Sequence, residues 1–237
     1  MFSAEVYVNR RRSLLEKMAA EDSRGLAIFL GNVDAPTNYR GNDYKFRQDS
    51  NFLYFWGVDE PWFAAVLDLD SGAECLYGND VDIDDIIWMG PMPSVQSQAE
   101  AVGVNRTAPY AALNEAVKGR RVHFLPTSRY YNAAKMASLT GLTPDEVTSA
   151  GKKGCANASE ALVRAVIGLR LVKSEEEIAL LDKAADLGYE MHTIGRRGIR
   201  LGRVEQEIVG EMEGYALSKG WGHSFAPILT QHGEIFH

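Results

Sequence analysis

The chain has 237 residues, 46% of them hydrophobic and 24% charged, with a formal net charge of -7. That composition belongs to a globular protein rather than a disordered one, and the length suits about one to two domains. No run approaches the ~20 apolar residues of a membrane helix, the acidic balance argues against nucleic acid, and Met1 to Arg12 lacks the apolar run of a secretory signal.

Residues 5–20 place Leu14, Leu15 and Met18 on one side and Arg and Lys on the other, which predicts an amphipathic helix. Gly25 ends it, and the apolar run Leu26–Leu30 reads as a buried strand. Residues 31–51 are polar and turn-rich, so a long loop is expected. Phe52–Phe55 and Phe63–Leu69 predict strands separated by Gly57 and Pro61, and Ala73–Tyr77 pairs back across Asp70-Ser71-Gly72. The acidic stretch Asp80-Val-Asp82-Ile-Asp84-Asp85 lacks the Gly and the Glu of a calcium loop. It reads as a helix start, where carboxylates meet the positive end of the dipole.

A helix over Val95–Val102, a strand over Arg121–Leu125 stopped by Pro126, and a helix over Ser128–Leu139 follow. Gly141, Pro144, Gly151 and Gly154 then punctuate a loop. Strands interleaved with helices predict an α/β domain over residues 1–172, a mixed sheet with flanking helices.

The remainder, residues 173–237, has a different texture. Ser174 and Glu177 have the spacing of a capping box, and Ile178, Leu181, Ala185 and Tyr189 continue at helical intervals. A second helix is expected from about Leu201 to Lys219, with Val204, Ile208, Met212 and Tyr215 on its inner stripe and Gly220 as its stop. Ser224–Thr230 and Glu234–His237 then read as a hairpin turning at His232-Gly233. Two helices and a hairpin bury little, so this part is expected to lean on the first domain or on another copy. The apolar ending Ile235-Phe236-His237 reads as the front part of a longer protein.

The basic clusters Arg10-Arg11-Arg12 and Arg196 to Arg203 are expected to be solvated helix faces. Cys75 and Cys155 form no Cys-x-x-Cys pair and read as buried thiols of a reducing cytoplasm. Gly222-His223-Ser224-Phe225-Ala226 approaches a nucleophile elbow but follows a helix and precedes a strand, so the glycines read as a helix end and Ser224 as the start of a strand. His123 and His192 read as packing residues, and His232 and His237 lack the spacing of a helical metal pair. The residues offer neither a complete metal site nor a complete nucleophilic triad.

Three stretches together resemble the aminopeptidase P and prolidase group of metallopeptidases, which share a pita-bread fold with creatinase. They are Phe46-Arg-Gln-Asp-Ser-Asn-Phe-Leu-Tyr-Phe-Trp-Gly57 with Glu60-Pro61, Leu169-Arg-Leu-Val-Lys-Ser-Glu-Glu-Glu-Ile178, and Phe225-Ala-Pro-Ile-Leu-Thr-Gln-His-Gly-Glu-Ile-Phe-His237. The resemblance implies an N-terminal domain of the creatinase and aminopeptidase P type, followed by the truncated start of an α+β pita-bread domain. It implies hydrolysis of the bond before a proline at the second position of a peptide. Two divalent metal ions, usually manganese, would activate water in the full-length protein through two Asp, one His and two Glu beyond residue 237. This chain alone would carry no metal and be inactive. A homodimer or homotetramer is implied as well.

Through the resemblance only His237 matches a family active-site position, and Trp88 is a second candidate. His237 would hydrogen-bond substrate or the developing oxyanion, against the plainer reading of a frayed end. Trp88, in Ile86-Ile-Trp-Met-Gly90, would pack on substrate at a neighbouring subunit's site, against the plainer reading of a core tryptophan. Arg47 and Asp49 are expected to fix the long loop as a charged pair or as caps. Other readings of the resemblance are a non-catalytic peptide- or protein-binding module of the same fold and a prolidase or creatinase-like hydrolase.

Overall fold

The computed structural model describes residues 2–39, 41–148 and 159–234. Its contacts divide the chain into two compact units, Met1–Val172 and Lys173–His237.

The first unit opens with helix α1, Ala4–Ala20, followed by strand β1, Leu26–Leu30. Every residue of β1 is buried. This is the burial a strand shows when both faces of its sheet are covered. Ala27 and Phe29 enter one core, and Leu26, Ile28 and Leu30 the other. Helix α2, Ser50–Trp56, precedes strands β2, Ala64–Asp68, and β3, Glu74–Tyr77. Helices α3, Ile83–Met89, and α4, Val95–Ala101, lead to the short strand β4, Thr107–Ala108. Helix α5, Leu113–Ala116, strand β5, Val122–His123, and helices α6, Tyr130–Thr140, α7, Pro144–Val147, and α8, Glu160–Leu171, complete the unit.

The five strands lie in the order β4-β3-β2-β1-β5. β1 pairs antiparallel with β2, with Ile28 opposite Val66, and β2 antiparallel with β3. The two edge strands join in parallel, β5 on β1 and β4 on β3. One face of this mixed sheet carries residues of α1, α2, α4 and α8, among them Leu14, Phe52, Ala99 and Leu162. The other face carries α5, α6 and α7 through Leu113, Met136 and Val147.

The α/β class and mixed sheet agree with the sequence, but several local expectations are corrected. Residues 52–55 are helical, not a strand. Asp49 caps the helix, with Oδ1 accepting from the amides of Asn51 and Phe52 at 2.9 Å each. Phe52, Phe55 and Trp56 share one face at helical spacing and are wholly buried. Gly57 ends the helix at φ +66°, where a Cβ would lie 2.4 Å from the Tyr7 ring. The strand expected over 121–125 is only Val122–His123. The loop expected after Gly141 contains α7, while Gly151, Gly154 and Cys155 lie outside the described residues. Helix α8 was not foreseen.

The Arg10-Arg11-Arg12 cluster is also corrected, because Arg11 is fully buried and Arg10 nearly so. Arg11 Nε donates to Glu74 Oε2 at 2.9 Å, Nη1 to the Phe55 carbonyl at 2.9 Å and Nη2 to the Val102 carbonyl at 3.0 Å. Its guanidinium also lies 4.9 Å from the Trp56 ring centroid. A buried cation is tolerated because it is both paired and hydrogen-bonded. Arg10 stacks 4.0 Å over the Tyr54 ring and donates to the Tyr54 carbonyl at 2.9 Å.

The second unit is a helical hairpin of α9, Glu175–Gly198, and α10, Glu205–Ser218. The capping box of Ser174 and Glu177 is present. The helices approach closely at Gly195, where a Cβ would lie 2.8 Å from Met212 Sδ. Ile208 is buried on the inner stripe, but Val204 stands before the helix and is 60% exposed. Arg203 pairs with Glu207 at 2.9 Å and Glu211 at 2.8 Å. The hairpin expected over 224–237 has no strand among its described residues, 224–234. Ile178, Leu181 and Tyr189 of α9 remain exposed. No helix among the described residues is long and apolar enough to cross a membrane.

Candidate functional site

The stretch Phe46–Gly57 owes its form to a buried polar hub. Gln48 is 2% exposed, and its Oε1 accepts from the Asn32 amide at 2.6 Å and from the Asp49 amide at 2.9 Å. Its Nε2 donates to the carbonyls of Val58 at 3.3 Å and Glu60 at 2.8 Å. Asn32 Nδ2 donates to the Arg47 carbonyl at 2.7 Å, and Asn132 Nδ2 donates to Asn32 Oδ1 at 3.0 Å. One glutamine thus joins the end of β1, the long loop, the start of α2 and the turn before β2. A buried amide has to be satisfied, and here its donors and acceptors meet backbone groups. Asp49, expected to fix the loop as a cap or as a member of a charged pair, caps the unforeseen helix α2, whereas Gln48, Asn32 and Asn132 were missed. The available signal was a Gln between two charged residues immediately before an apolar run.

Trp88 lies on α3 and is 87% exposed, which overturns its reading as a core residue. Asp82 caps this helix through the amides of Asp84 at 2.9 Å and Asp85 at 3.0 Å. Asp85 returns the bond to complete a capping box. Asp80 accepts from the Val95 amide at 2.6 Å and anchors the far end of the segment. Ile83, Ile87 and Met89 are exposed beside Trp88, so α3 presents an apolar surface from a well-capped helix.

The histidines do not converge. His123 is buried, with Nε2 2.9 Å from the Arg24 carbonyl oxygen. Burial drives its pKa below the ordinary value, opposed by that hydrogen bond and reinforced by Arg121. His223 lies 3.7 Å from Glu213, and His232 3.2 Å from Glu234. His192 is exposed on α9. Among the described residues no group of three or more His, Cys, Asp or Glu could hold a metal ion. His237 lies outside the described residues. Cys75 is buried, and burial raises its thiol pKa, while Tyr77 and Arg106 oppose that rise.

Comparison with known proteins gives these features a context. Residues 7–122 match the family described as Aminopeptidase P, N-terminal domain. The chain is 26% identical over 220 residues to Xaa-Pro aminopeptidase of Escherichia coli strain K12, covering 89% of this chain and 48% of that protein. It is 23% identical over 235 residues to human Xaa-Pro dipeptidase, covering 96% of this chain and 46% of that protein. Among solved structures, zinc-substituted E. coli aminopeptidase P in complex with product matches with a TM-score of 0.70 and 23% identity, covering 93% of this chain and 50% of that chain. The last likeness is one of fold. The chain spans about half the length of the curated relatives it matches.

Proposed function

We propose, starting from the aminopeptidase P N-terminal domain of residues 7–122, that this chain is the N-terminal half of a proline-specific metallopeptidase. The observation that carries the reading is the extent of the similarity. It runs through both compact units and covers about half the length of the relatives. The whole protein would hydrolyse the bond before a proline at the second position of a peptide.

The relative solved with zinc supports a metallopeptidase. Among the described residues no group of three or more His, Cys, Asp or Glu could hold a metal ion, and the dinuclear centre of this reading, with manganese as the expected metal, would be supplied by the rest of the whole protein. His237 would donate to substrate in the whole protein. Trp88 would pack its ring on the substrate's proline across an interface between subunits of a homodimer or homotetramer, a role supported by its exposure on a capped helix. The setting is cytoplasmic, where the free thiol of Cys75 stays reduced.

The test is hydrolysis of an alanyl-prolyl-leucine peptide with added manganese. The whole protein is expected to turn it over and to leave the alanyl-alanyl-leucine analogue intact, while residues 1–237 alone give no turnover. A whole protein that shows no preference for proline at the second position overturns the reading, and turnover by the 237-residue chain overturns the assignment of the metal centre. The similarity to human Xaa-Pro dipeptidase favours a second reading, a dipeptidase. It predicts cleavage of alanyl-proline and not of the tripeptide.

A further inference from the structure

Trp62 is a bulky residue with φ +66°, a left-handed backbone conformation that strains a side chain with a Cβ. The surroundings hold it there. Its amide donates to the Asn32 carbonyl at 3.2 Å, its indole Nε1 donates to Asp34 Oδ2 at 3.0 Å, and the Tyr131 ring meets it edge-on at 5.2 Å between centroids. The ring so fixed walls a hollow of about 680 Å³ together with Tyr130, Tyr131 and Pro36. That volume is in the range of small-ligand sites. Asn32 and Asn132 of the polar hub also line it, and Asn132 Oδ1 has no hydrogen-bond partner among the described residues. Asp34 and Asp43 are its acidic lining residues.

A second hollow of about 260 Å³ shares Val33, Ala35 and Arg129 with the first. Lys45 and Arg47 join Arg129 in its lining, and none of its lining residues is acidic. An aromatic compartment therefore adjoins a tricationic one in a protein whose net charge is -7. A ligand matching both has an apolar ring next to an anionic group.

We propose that these adjoining hollows bind the carboxyl-terminal end of a short peptide, with its last apolar ring against Trp62 and Tyr131 and its free carboxylate toward Lys45, Arg47 and Arg129. The choice of a peptide over another carboxylate rests on the peptidase reading above. The site itself does not, and it is tested on the 237-residue chain by binding rather than by hydrolysis.

The experiment is calorimetric titration with glycyl-prolyl-phenylalanine, its carboxyl-terminal amide and 3-phenylpropionate. The free acid is expected to bind saturably and the amide about tenfold more weakly. Arg129→Glu and Trp62→Gly are each expected to weaken the free acid by about tenfold. Glycine takes the positive φ without strain, so Trp62→Gly removes the ring while easing the backbone. Arg129→Glu changes an exposed residue and keeps the test valid should the tryptophan variant misfold. Equal binding of acid and amide, or affinity untouched by both substitutions, overturns the site. Binding of 3-phenylpropionate as tight as that of the tripeptide overturns the peptide as occupant. Loss of proline-specific hydrolysis by the whole protein bears on neither result.

Discussion

Helices α2 and α3 are near copies in their local chemistry and opposites in their fate. Each has seven residues, an aspartate cap accepting from two amides, and a glycine at its C-terminal end. Each repeats large apolar residues at the same interval, Phe52, Phe55 and Trp56 in one and Ile83, Ile86 and Ile87 in the other. Yet Trp56 is fully buried and Trp88 is 87% exposed. The capping is more complete on the exposed helix, where Asp85 closes a capping box. Local signals therefore decide that a helix forms and where it starts. Whether it is covered depends on partners remote in sequence. Helix α2 has them in Phe29, whose ring centroid lies 5.1 Å from that of Phe55, and in Arg10 and Arg11, which hold its last carbonyls.

That contrast can be broken by substitution. Trp56→Ala opens a cavity in the core and is expected to destabilise the first unit by about 3–5 kcal/mol, read from the urea midpoint. A loss below about 1 kcal/mol would mean that α2 is not the packed helix described. Arg11→Met retains much of the side-chain volume but removes the donor to Glu74 and to the carbonyls of Phe55, Val102 and Gly103. It is expected to cost about 3 kcal/mol, and a neutral outcome would show that the guanidinium is not needed to hold α2 in place.

The caps sharpen the comparison at a smaller scale. Asp49→Ala is expected to lower global stability by about 1 kcal/mol, since α2 unfolds only with the core. Asp82→Ala is expected to melt α3 locally, with faster amide hydrogen exchange over 83–89 and no shift in the global midpoint. Equal midpoint losses in the two variants would erase the distinction. The smallest stability change belongs to Trp88→Ala, expected within about 0.5 kcal/mol of the parent. In the whole protein the same substitution is expected to raise KM for proline peptides. An unchanged KM would remove Trp88 from the substrate site.

How far the sequence could be read follows from the same physics. Leu26–Leu30 was legible as a buried strand because a five-residue apolar run between turn signals has few alternatives. The capping box at Ser174 was legible because its bonds span only three residues. Phe52–Phe55 was misread because four apolar residues in a row suit a strand and a helix face equally well, and Asp49 broke the tie. The arginines of α1 were misread because partners such as Phe55, Glu74 and Val102 lie far along the chain. Of the proposed site residues, Trp88 was visible only through its motif, which left its exposure open between a surface and a core reading. Trp62, Tyr131 and Arg129 carry no local signal, because their hollow exists only when the loop after β1 meets the start of α6.

The sequence by itself determined most turns and caps, the buried strand Leu26–Leu30 and the α/β class. Each of these rests on backbone preferences and side-chain bonds that span a few residues. Only the tertiary structure decided which of two similar helices is sheltered, that a charged guanidinium sits in the core, and that an aromatic wall adjoins a basic one. Burial and electrostatic pairing are properties of groups brought together by the whole fold, and no short stretch of chain contains both members of such a pair.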